Sequence, residues 1–289
     1  MKNFQAKRWR VAPADGADQR LFIRRHSAVV RMTHWINVLC LSILLLSGLQ
    51  ILNAHPRLYW GEYGADADQA FIAIGSQKHG DGLHGFLRVG ALRIETTGVL
   101  GASREGDAIT ARAFPAWLTI PSYHDLGAGR NWHFLFAWLL VINGSVYLMH
   151  GFLRGHIRRD LLPNRDQLTL RHLWQEVVDH ARLHFAKGSA ARRYNALQKI
   201  TYLLVALVLL PLMVLTGLTM SPGLDAAFPF LPDLFGGRAS ARTLHFITAS
   251  SLVLFVVVHV LMVVLSGFWN NVRSMISGRY AIDHSGDAS

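Results

Sequence analysis

The sequence predicts an all-α integral membrane protein, a bundle of four transmembrane helices with a long loop after the first. Charged residues make up only 16% of the 289 residues, against about 25% in an ordinary soluble domain. Four apolar blocks of 21 to 25 residues interrupt the chain, and about 20 helical residues cross a hydrocarbon core of about 30 Å. The predicted spans are residues 29–52, 132–153, 200–220 and 243–267.

Composition excludes several classes of protein. The apolar residues come in long blocks, which a disordered tail, a coiled coil or a nucleic-acid binder does not have. Cys40 is the single cysteine, so an intrachain disulfide, a thiolate zinc site and a Cys-x-x-Cys-His attachment of haem are all excluded. The first apolar block is too long and too far along the chain for a cleaved signal peptide and predicts an uncleaved anchor.

Basic residues are concentrated in one set of connections. Residues 1–31, 154–199 and 268–289 together hold 20 basic and 8 acidic side chains, whereas residues 53–130 and 221–242 hold 9 and 10. The positive-inside rule therefore predicts that both termini and the 154–199 loop are cytoplasmic. The basic surplus then faces the membrane surface, and no nucleic-acid partner is needed to explain it.

Both long loops have predicted structure. The 53–130 loop is too long for a simple connector and predicts a folded periplasmic cap, with a hairpin suggested by loose alternation over residues 85–100. In the cytoplasmic loop, apolar residues recur at i, i+3 and i+4, which indicates an amphipathic helix lying on the bilayer. These residues are Leu170, Leu173, Trp174, Val177, Val178 and Ala181.

Five of the 15 histidines lie inside the apolar blocks: His34, His133, His150, His245 and His259. Ionisable groups in hydrocarbon are costly and usually mark a function. For any single histidine, a hydrogen bond between helices or a place near the headgroups is an equally good interpretation. The positions of the five histidines relative to one another are more informative than the position of any single one.

Helical geometry predicts two histidine pairs. His245 and His259 are 14 residues apart, so they lie within about 40° on one helix face and about 21 Å apart along the axis. The first span runs outward and carries His34 at the cytoplasmic depth of His259. The second span runs inward and carries His133 at the outer depth of His245.

Two facing imidazoles are what bis-histidine ligation of haem iron requires, and bundle cores are a usual place for such sites. The sequence therefore predicts two haems, with His34 and His259 as one ligand pair and His133 and His245 as the other. A bare zinc site would need three or four converging ligands. His150 is at cytoplasmic depth and stays an alternative to His34, although its helix phase differs from that of His133 by about 100°.

Several short motifs resemble a known family. They are Arg31-Met-Thr-His34-Trp35, Arg130-Asn-Trp-His133, Tyr194-Asn195-x-x-Gln198-Lys199, and the pair of His245 and His259. Together they are similar to the bacterial dihaem cytochrome b family, the membrane anchor subunits of nickel–iron hydrogenase, formate dehydrogenase and thiosulfate reductase. Residues 114–160 look closest to the thiosulfate-reductase-like branch. The resemblance covers the four spans, about half of the chain.

The resemblance implies a dihaem cytochrome b domain at residues 29–267 between cytoplasmic tails at 1–28 and 268–289, in a bacterial inner membrane. It implies two haem b groups on the pairs named above and a quinone near Asn195 and Gln198. Leu197 departs from the formate dehydrogenase anchor, which has glycine between the two polar residues. A periplasmic redox subunit containing molybdopterin would dock on the 53–130 loop.

Arg31 and Arg130 each lie three residues before a predicted ligand. Each is a candidate to hold a haem propionate through charge-assisted hydrogen bonds. Anchoring at the membrane interface by snorkelling explains them equally well.

The predicted function is a membrane-bound electron-transfer subunit that relays electrons between the quinone pool and a periplasmic oxidoreductase. One alternative is a self-contained transmembrane reductase that acts on small acceptors. Another is a histidine-relay proton channel or transporter, which would predict acidic residues within the spans. The four spans contain no Asp or Glu. The sequence has no flavin or nicotinamide motif, so two-electron substrate chemistry would need a partner.

Overall fold

The structure, a computed structural model, describes residues 21–64, 68–80, 82–155, 161–182 and 195–282. The first 20 and last seven residues, which belong to the two predicted tails, lie outside the described residues. In chain order the helices are α1 (Ala28–Asn53), α2 (Leu126–Leu153), α3 (Leu170–Ala181), α4 (Ala196–Leu204), α5 (Leu210–Thr219), α6 (Pro222–Ala227), α7 (Phe230–Leu234), α8 (Arg238–Leu265) and α9 (Phe268–Ser277). The strands are β1 (Leu21–Arg24), β2 (Arg57–Leu58), β3 (Ile72–His79), β4 (Gly82–Val89), β5 (Leu92–Glu95), β6 (Ala102–Glu105), β7 (Ala108–Ala111) and β8 (Arg279–Ile282).

Four helical runs are long and apolar enough to cross a membrane: α1, α2, residues 196–219 and α8. Their apolar side chains are largely exposed. In α8, for example, Leu254, Val257 and Leu261 are each more than half exposed. A soluble protein rarely exposes apolar surface of this extent, and a bilayer would cover it. The fold is therefore that of a multi-pass membrane protein.

The third of these runs contains a local widening. A π-helical turn, Val205–Leu209, separates α4 from α5, and Pro211 lies in the first turn of α5. Proline has no N–H, and its ring clashes with the carbonyl four residues earlier. The wider turn just before Pro211 relieves both effects, and single π-turns of this kind recur inside α-helices.

The chain divides into two compact units. The first comprises Met1–Trp35, Asn143–Val208 and Leu252–Ser289. In it β1 pairs antiparallel with β8, and Trp35 Nε1 donates to the carbonyl of Met275 at 3.1 Å. Asn143 of α2 is buried and donates to the carbonyl of Thr33 in α1 at 2.8 Å. Helix α3 occupies the segment where the sequence predicts an amphipathic helix.

The second unit comprises Ile36–Ile142 and Leu209–Ser251, and its loop after α1 contains β-structure. An antiparallel sheet has the strand order β2-β3-β4-β5. Gly80 and Gly90, which follow β3 and β4, have φ of +58° and +56°, values that glycine adopts without strain. The expectation of an all-α protein is wrong for this loop, and the predicted hairpin covers only part of the sheet. Glycine and polar residues in β3 interrupt the alternation of apolar and polar side chains, so this strand was not predicted.

A buried arginine fastens the loop to α1. Arg112 follows β7 and is 4% exposed. Its guanidinium donates to Glu105 at 2.9 Å, to Thr119 at 2.7 Å and to Gln50 of α1 at 3.3 Å. The N–H of Phe114 also donates to the side chain of Asn53 at 2.8 Å. The loop is therefore bonded to the last turns of α1 through polar groups that are buried or partly buried.

Replacing Arg112 with methionine should loosen the loop. The change leaves the buried hydroxyl oxygen of Thr119 and the carboxylate of Glu105 without their donor, and Gln50 keeps only the bond from Asn53. We expect this to cost about 2–4 kcal/mol of local stability. Limited proteolysis should then cleave residues 53–130 at least tenfold faster. Arg104 on β6 is exposed, so Arg104→Met should change the cleavage rate less than twofold. Equal rates for the two variants would contradict this account of the loop.

Candidate functional site: two imidazole pairs

In the second unit, His133 of α2 and His245 of α8 face each other. Their ring centroids are 6.3 Å apart and the ring planes are inclined by 58°. Helices α2 and α8 each place one of these residues in their first half. The structure brings together the two residues that the sequence pairs at the outer depth.

Hydroxyl groups of two further helices fix both rings. Ser47 of α1 contacts His133 Nδ1 at 3.0 Å, and Thr216 of α5 contacts His245 Nδ1 at 2.9 Å. Each hydroxyl donates its single proton to the carbonyl four residues earlier, at 2.7 Å in both cases. The hydroxyl oxygen must therefore accept the Nδ1–H of its histidine. In a neutral imidazole Nε2 is then unprotonated, which is the form that can bind a metal.

A glycine follows each hydroxyl residue and gives the ring its space. A Cβ atom at Gly48 would lie 3.3 Å from Cε1 of His133, and one at Gly217 would lie 3.4 Å from Cε1 of His245. Ser47 and Thr216 are not among the site residues predicted from the sequence. A signal was present, because the two positions lie in the tetrapeptides Leu46-Ser-Gly-Leu49 and Leu215-Thr-Gly-Leu218.

In the first unit, His34 of α1 and His259 of α8 form a second pair. Their ring centroids are also 6.3 Å apart, and the planes are inclined by 50°. Phe255 stacks on His259 with centroids 5.6 Å apart, and Trp35 contacts His34 edge-on at 5.4 Å. Within the described residues, Nδ1 of His34 is buried without a hydrogen-bond partner.

His150 lies outside this pair. Its Nε2 is 3.4 Å from the hydroxyl of Ser27 in the same unit. This contact connects α2 to Ser27, the residue that precedes α1, and gives His150 a structural role. The structure therefore places His34, rather than His150, opposite His259.

Arg31 and Arg130, the two predicted partners of haem propionates, differ in their contacts and exposure. The guanidinium of Arg31 donates to the carbonyl of Ile276 and lies against Gly278, so it already fastens α9 to α1. Arg130 is exposed near the start of α2. A role for either arginine toward a propionate stays a prediction.

The predicted quinone residues lie at the start of α4. Asn195 is the N-cap, and its side-chain oxygen accepts the N–H of Gln198 at 2.9 Å. Glu176 of α3 accepts the N–H groups of Ala196 and Leu197 at 3.0 and 2.7 Å. The Asn-x-x-Gln spacing is thus explained in part by helix capping. The Gln198 side-chain amide has no hydrogen bond within the described chain.

Four apolar spans with facing imidazole pairs define a class, the multi-pass membrane cytochromes with non-covalent haem. The chain belongs to the prokaryotic cytochrome b561 family, whose model matches residues 25–278. Members are b-type cytochromes, so this is a haem-binding membrane protein of electron transport.

One relative is the putative protein-methionine-sulfoxide reductase subunit YedZ1 of Azospira oryzae. It is 29% identical over 240 residues, which cover 83% of this chain and 90% of that protein. No solved structure matches the chain.

The imidazole pairs fit haem iron. A metal–imidazole bond of about 2.0 Å, with each ring centroid about 1.1 Å behind its nitrogen, gives a centroid separation of about 6.2 Å for two axial ligands. Both pairs are at 6.3 Å. In the second unit, His133 and His245 are also in the tautomer that metal binding through Nε2 requires, because the hydroxyls of Ser47 and Thr216 accept the Nδ1–H.

Proposed function

We propose that this chain is a dihaem cytochrome b subunit that relays electrons across a bacterial inner membrane. The observation that carries the proposal is the equal 6.3 Å separation of two imidazole pairs, one in each unit. His34 and His259 would hold one haem b, and His133 and His245 the other. Bound haem supplies one-electron transfer, because its iron cycles between two oxidation states.

In this proposal the side chains have three roles: they bind iron, orient the imidazole rings and exclude water. The imidazoles would hold the haem iron, and the hydroxyls of Ser47 and Thr216 accept the Nδ1–H of His133 and His245. Such outer partners orient the ring and raise its basicity. The apolar helices exclude water, which keeps charge and protons away from the electron path.

Orientation and partner follow from charge and from the relative. The basic connections favour cytoplasmic termini, which would put the 53–130 loop in the periplasm. The Azospira relative is named as a subunit of a methionine-sulfoxide reductase. We infer that the partner here is a periplasmic oxidoreductase docked on the 53–130 loop, with a molybdenum cofactor as the family resemblance implies.

Quinone would react beside the first unit. Asn195 already caps α4, so the side-chain amide of Gln198 is the better candidate to hydrogen-bond a quinone carbonyl. Gln198→Leu removes that amide and leaves the backbone cap on Asn195 intact. Asn195→Asp is the matched control, because aspartate is an equally good N-cap.

Quinol-driven reduction tests this function. Purified protein in vesicles should show haem reduction on addition of a short-chain quinol, and Gln198→Leu should slow the reduction at least tenfold. Addition of a periplasmic methionine-sulfoxide reductase, the enzyme that the name of the relative indicates, together with methionine sulfoxide, should reoxidise the haem. Reoxidation by small acceptors at the same rate without that partner would favour a self-contained reductase and contradict the proposal.

A histidine relay for protons is the weaker alternative. The runs α1, α2, 196–219 and α8 contain no Asp or Glu, which a proton path usually uses. Vesicles that conduct protons without any redox reaction would support it.

Removing the hydroxyls should alter only the second-unit haem. With Ser47→Ala or Thr216→Val, the Nδ1–H loses an acceptor and the imidazole becomes less basic. We expect iron affinity to fall about 10–100-fold and the midpoint potential of that haem to rise. The controls are Ser42→Ala and Thr219→Val, whose hydroxyls donate to carbonyls of their own helices. A redox titration in which all four variants match wild type would contradict the assigned hydrogen bonds.

A further inference from the structure

A cleft in the second unit combines two arginines with a buried tyrosine hydroxyl. Its lining residues are Tyr59, Glu62, Gly64, Arg238, Ala239 and Arg242. The segment that contains Tyr59 is bonded to the first turns of α8. Thr243 donates to the carbonyl of Tyr59 at 2.6 Å, and Ser240 accepts the N–H of Gly61 at 2.7 Å.

The hydroxyl of Tyr59 lacks a partner. The residue is 4% exposed, and its ring packs over Gly64, where a Cβ atom would lie 2.4 Å from Cδ2. Within the described residues the hydroxyl oxygen is buried without a hydrogen bond. A buried donor that stays unsatisfied costs free energy, so this one is expected to bind a ligand in the cleft.

The charges in the cleft favour an anion. Arg238 and Arg242 lie one helical turn apart at the start of α8, where the helix dipole is also positive. Arg238 donates to the carbonyl of Met220 at 2.6 Å. In the described parts of the chain neither arginine forms an ion pair with Glu62. Two cations, a tyrosine donor and one exposed carboxylate leave a net positive site.

Arg242 lies three residues before His245. Residues i and i+3 share a helix face and are separated by about 4.5 Å of rise. The spacing is the same as that of Arg31 to His34 and Arg130 to His133. Arg242, which lines the cleft, therefore lies about one helical turn from His245, on the side toward the start of α8.

We propose that Tyr59 and Arg242 form an oxyanion site that binds a propionate carboxylate of the haem held by His133 and His245. The inference rests on the proposed second-unit haem. A guanidinium and a phenol hydroxyl supply charge-assisted hydrogen bonds to a carboxylate. Their positive potential stabilises the reduced iron, which carries one positive charge less than the oxidised iron.

Redox titration of the purified protein tests the proposal. Arg242→Gln should shift the oxidised-to-reduced ratio of one haem about tenfold toward the oxidised form, a fall of 59 mV for a one-electron couple. Tyr59→Phe should shift the same haem in the same direction by a smaller factor. The control Arg104→Gln removes an exposed arginine of β6 and should change neither haem. Unchanged potentials in both cleft variants, with two haems bound, would overturn the inference.

Two further experiments identify the anion that binds in the cleft. With ordinary haem, Arg242→Gln should retain the second-unit haem less well than wild type. Reconstitution with haem dimethyl ester removes the carboxylates, so the two proteins should then retain that haem equally; a persisting difference in retention would overturn the proposal. A difference in midpoint potential seen only in phosphatidylglycerol nanodiscs, and absent in phosphatidylcholine, would assign the site to an anionic lipid headgroup instead. A chain without second-unit haem would refute the proposed function itself, and the cleft inference with it.

Discussion

Substitution of His245 by alanine should remove one haem and leave the other. His245 is one of two imidazoles at the second-unit site, and its ring is held by Thr216 at 2.9 Å. With one of the two imidazoles lost, the haem of that unit should no longer be retained, and the haem count should fall from about two per chain to about one. His133→Ala should give the same product, because it removes the opposite ligand.

The remaining haem should keep its midpoint potential in both variants, since its proposed ligands, His34 and His259, are unchanged. His150→Ala is the matched control and should keep both haems, because the residue contacts Ser27 outside the pairs. A pyridine haemochrome count and a redox titration measure these outcomes. Loss of the first-unit haem in His245→Ala, with the second-unit haem intact, would show the pairing to be wrong.

Substitution of Gly48 by leucine should also release the second-unit haem. A Cβ atom at this position would already lie 3.3 Å from Cε1 of His133, and the rest of a leucine side chain has no room beside the ring. Overpacking of this kind costs about 1–3 kcal/mol, enough to weaken haem binding about 10–100-fold. Gly217→Leu should act on His245 in the same way.

Ser42→Leu is the control for this effect. Ser42 lies on the exposed face of α1, so a leucine there meets lipid and should leave the haem content unchanged. Haem retained during size-exclusion chromatography measures the difference. Full retention in Gly48→Leu and Gly217→Leu would mean that neither glycine is needed for the position of the rings.

The helical spans were predictable because hydropathy and length follow directly from the bilayer. Two helices begin before the predicted spans, at segments that contain polar residues: Arg130 lies inside α2, and Lys199 lies inside α4. Hydropathy ends a span at such residues, although the backbone continues to form helical hydrogen bonds. The π-turn before Pro211 has no hydropathy signal at all.

The positions of the four paired histidines were also accessible from sequence, since helix periodicity and direction give both face and depth. Ser47 and Thr216 were missed because a serine or threonine in a span is usually explained by a bond to its own helix. Both do make that bond, and only the structure reveals the second contact. Arg242 was missed although it repeats the Arg-x-x-His spacing.

The loop was the least predictable part. Its sheet depends on pairing between β3 and β4 and on the contacts of Arg112 with residues as distant as Gln50. Such contacts are set by tertiary packing, and local alternation reflects them only weakly. Asn195 shows the opposite case, because a motif attributed to ligand binding also serves to cap a helix.

The central claim is that imidazoles of α1, α2 and α8 meet at two sites that each bind haem iron. A dithionite-reduced minus oxidised spectrum of the purified chain, with a haemochrome count against protein mass, tests it most directly. We predict b-type absorbance and about two haems per chain, each low-spin with two histidine ligands. A folded preparation that binds no haem when supplied with it, or that binds only one, would contradict the claim.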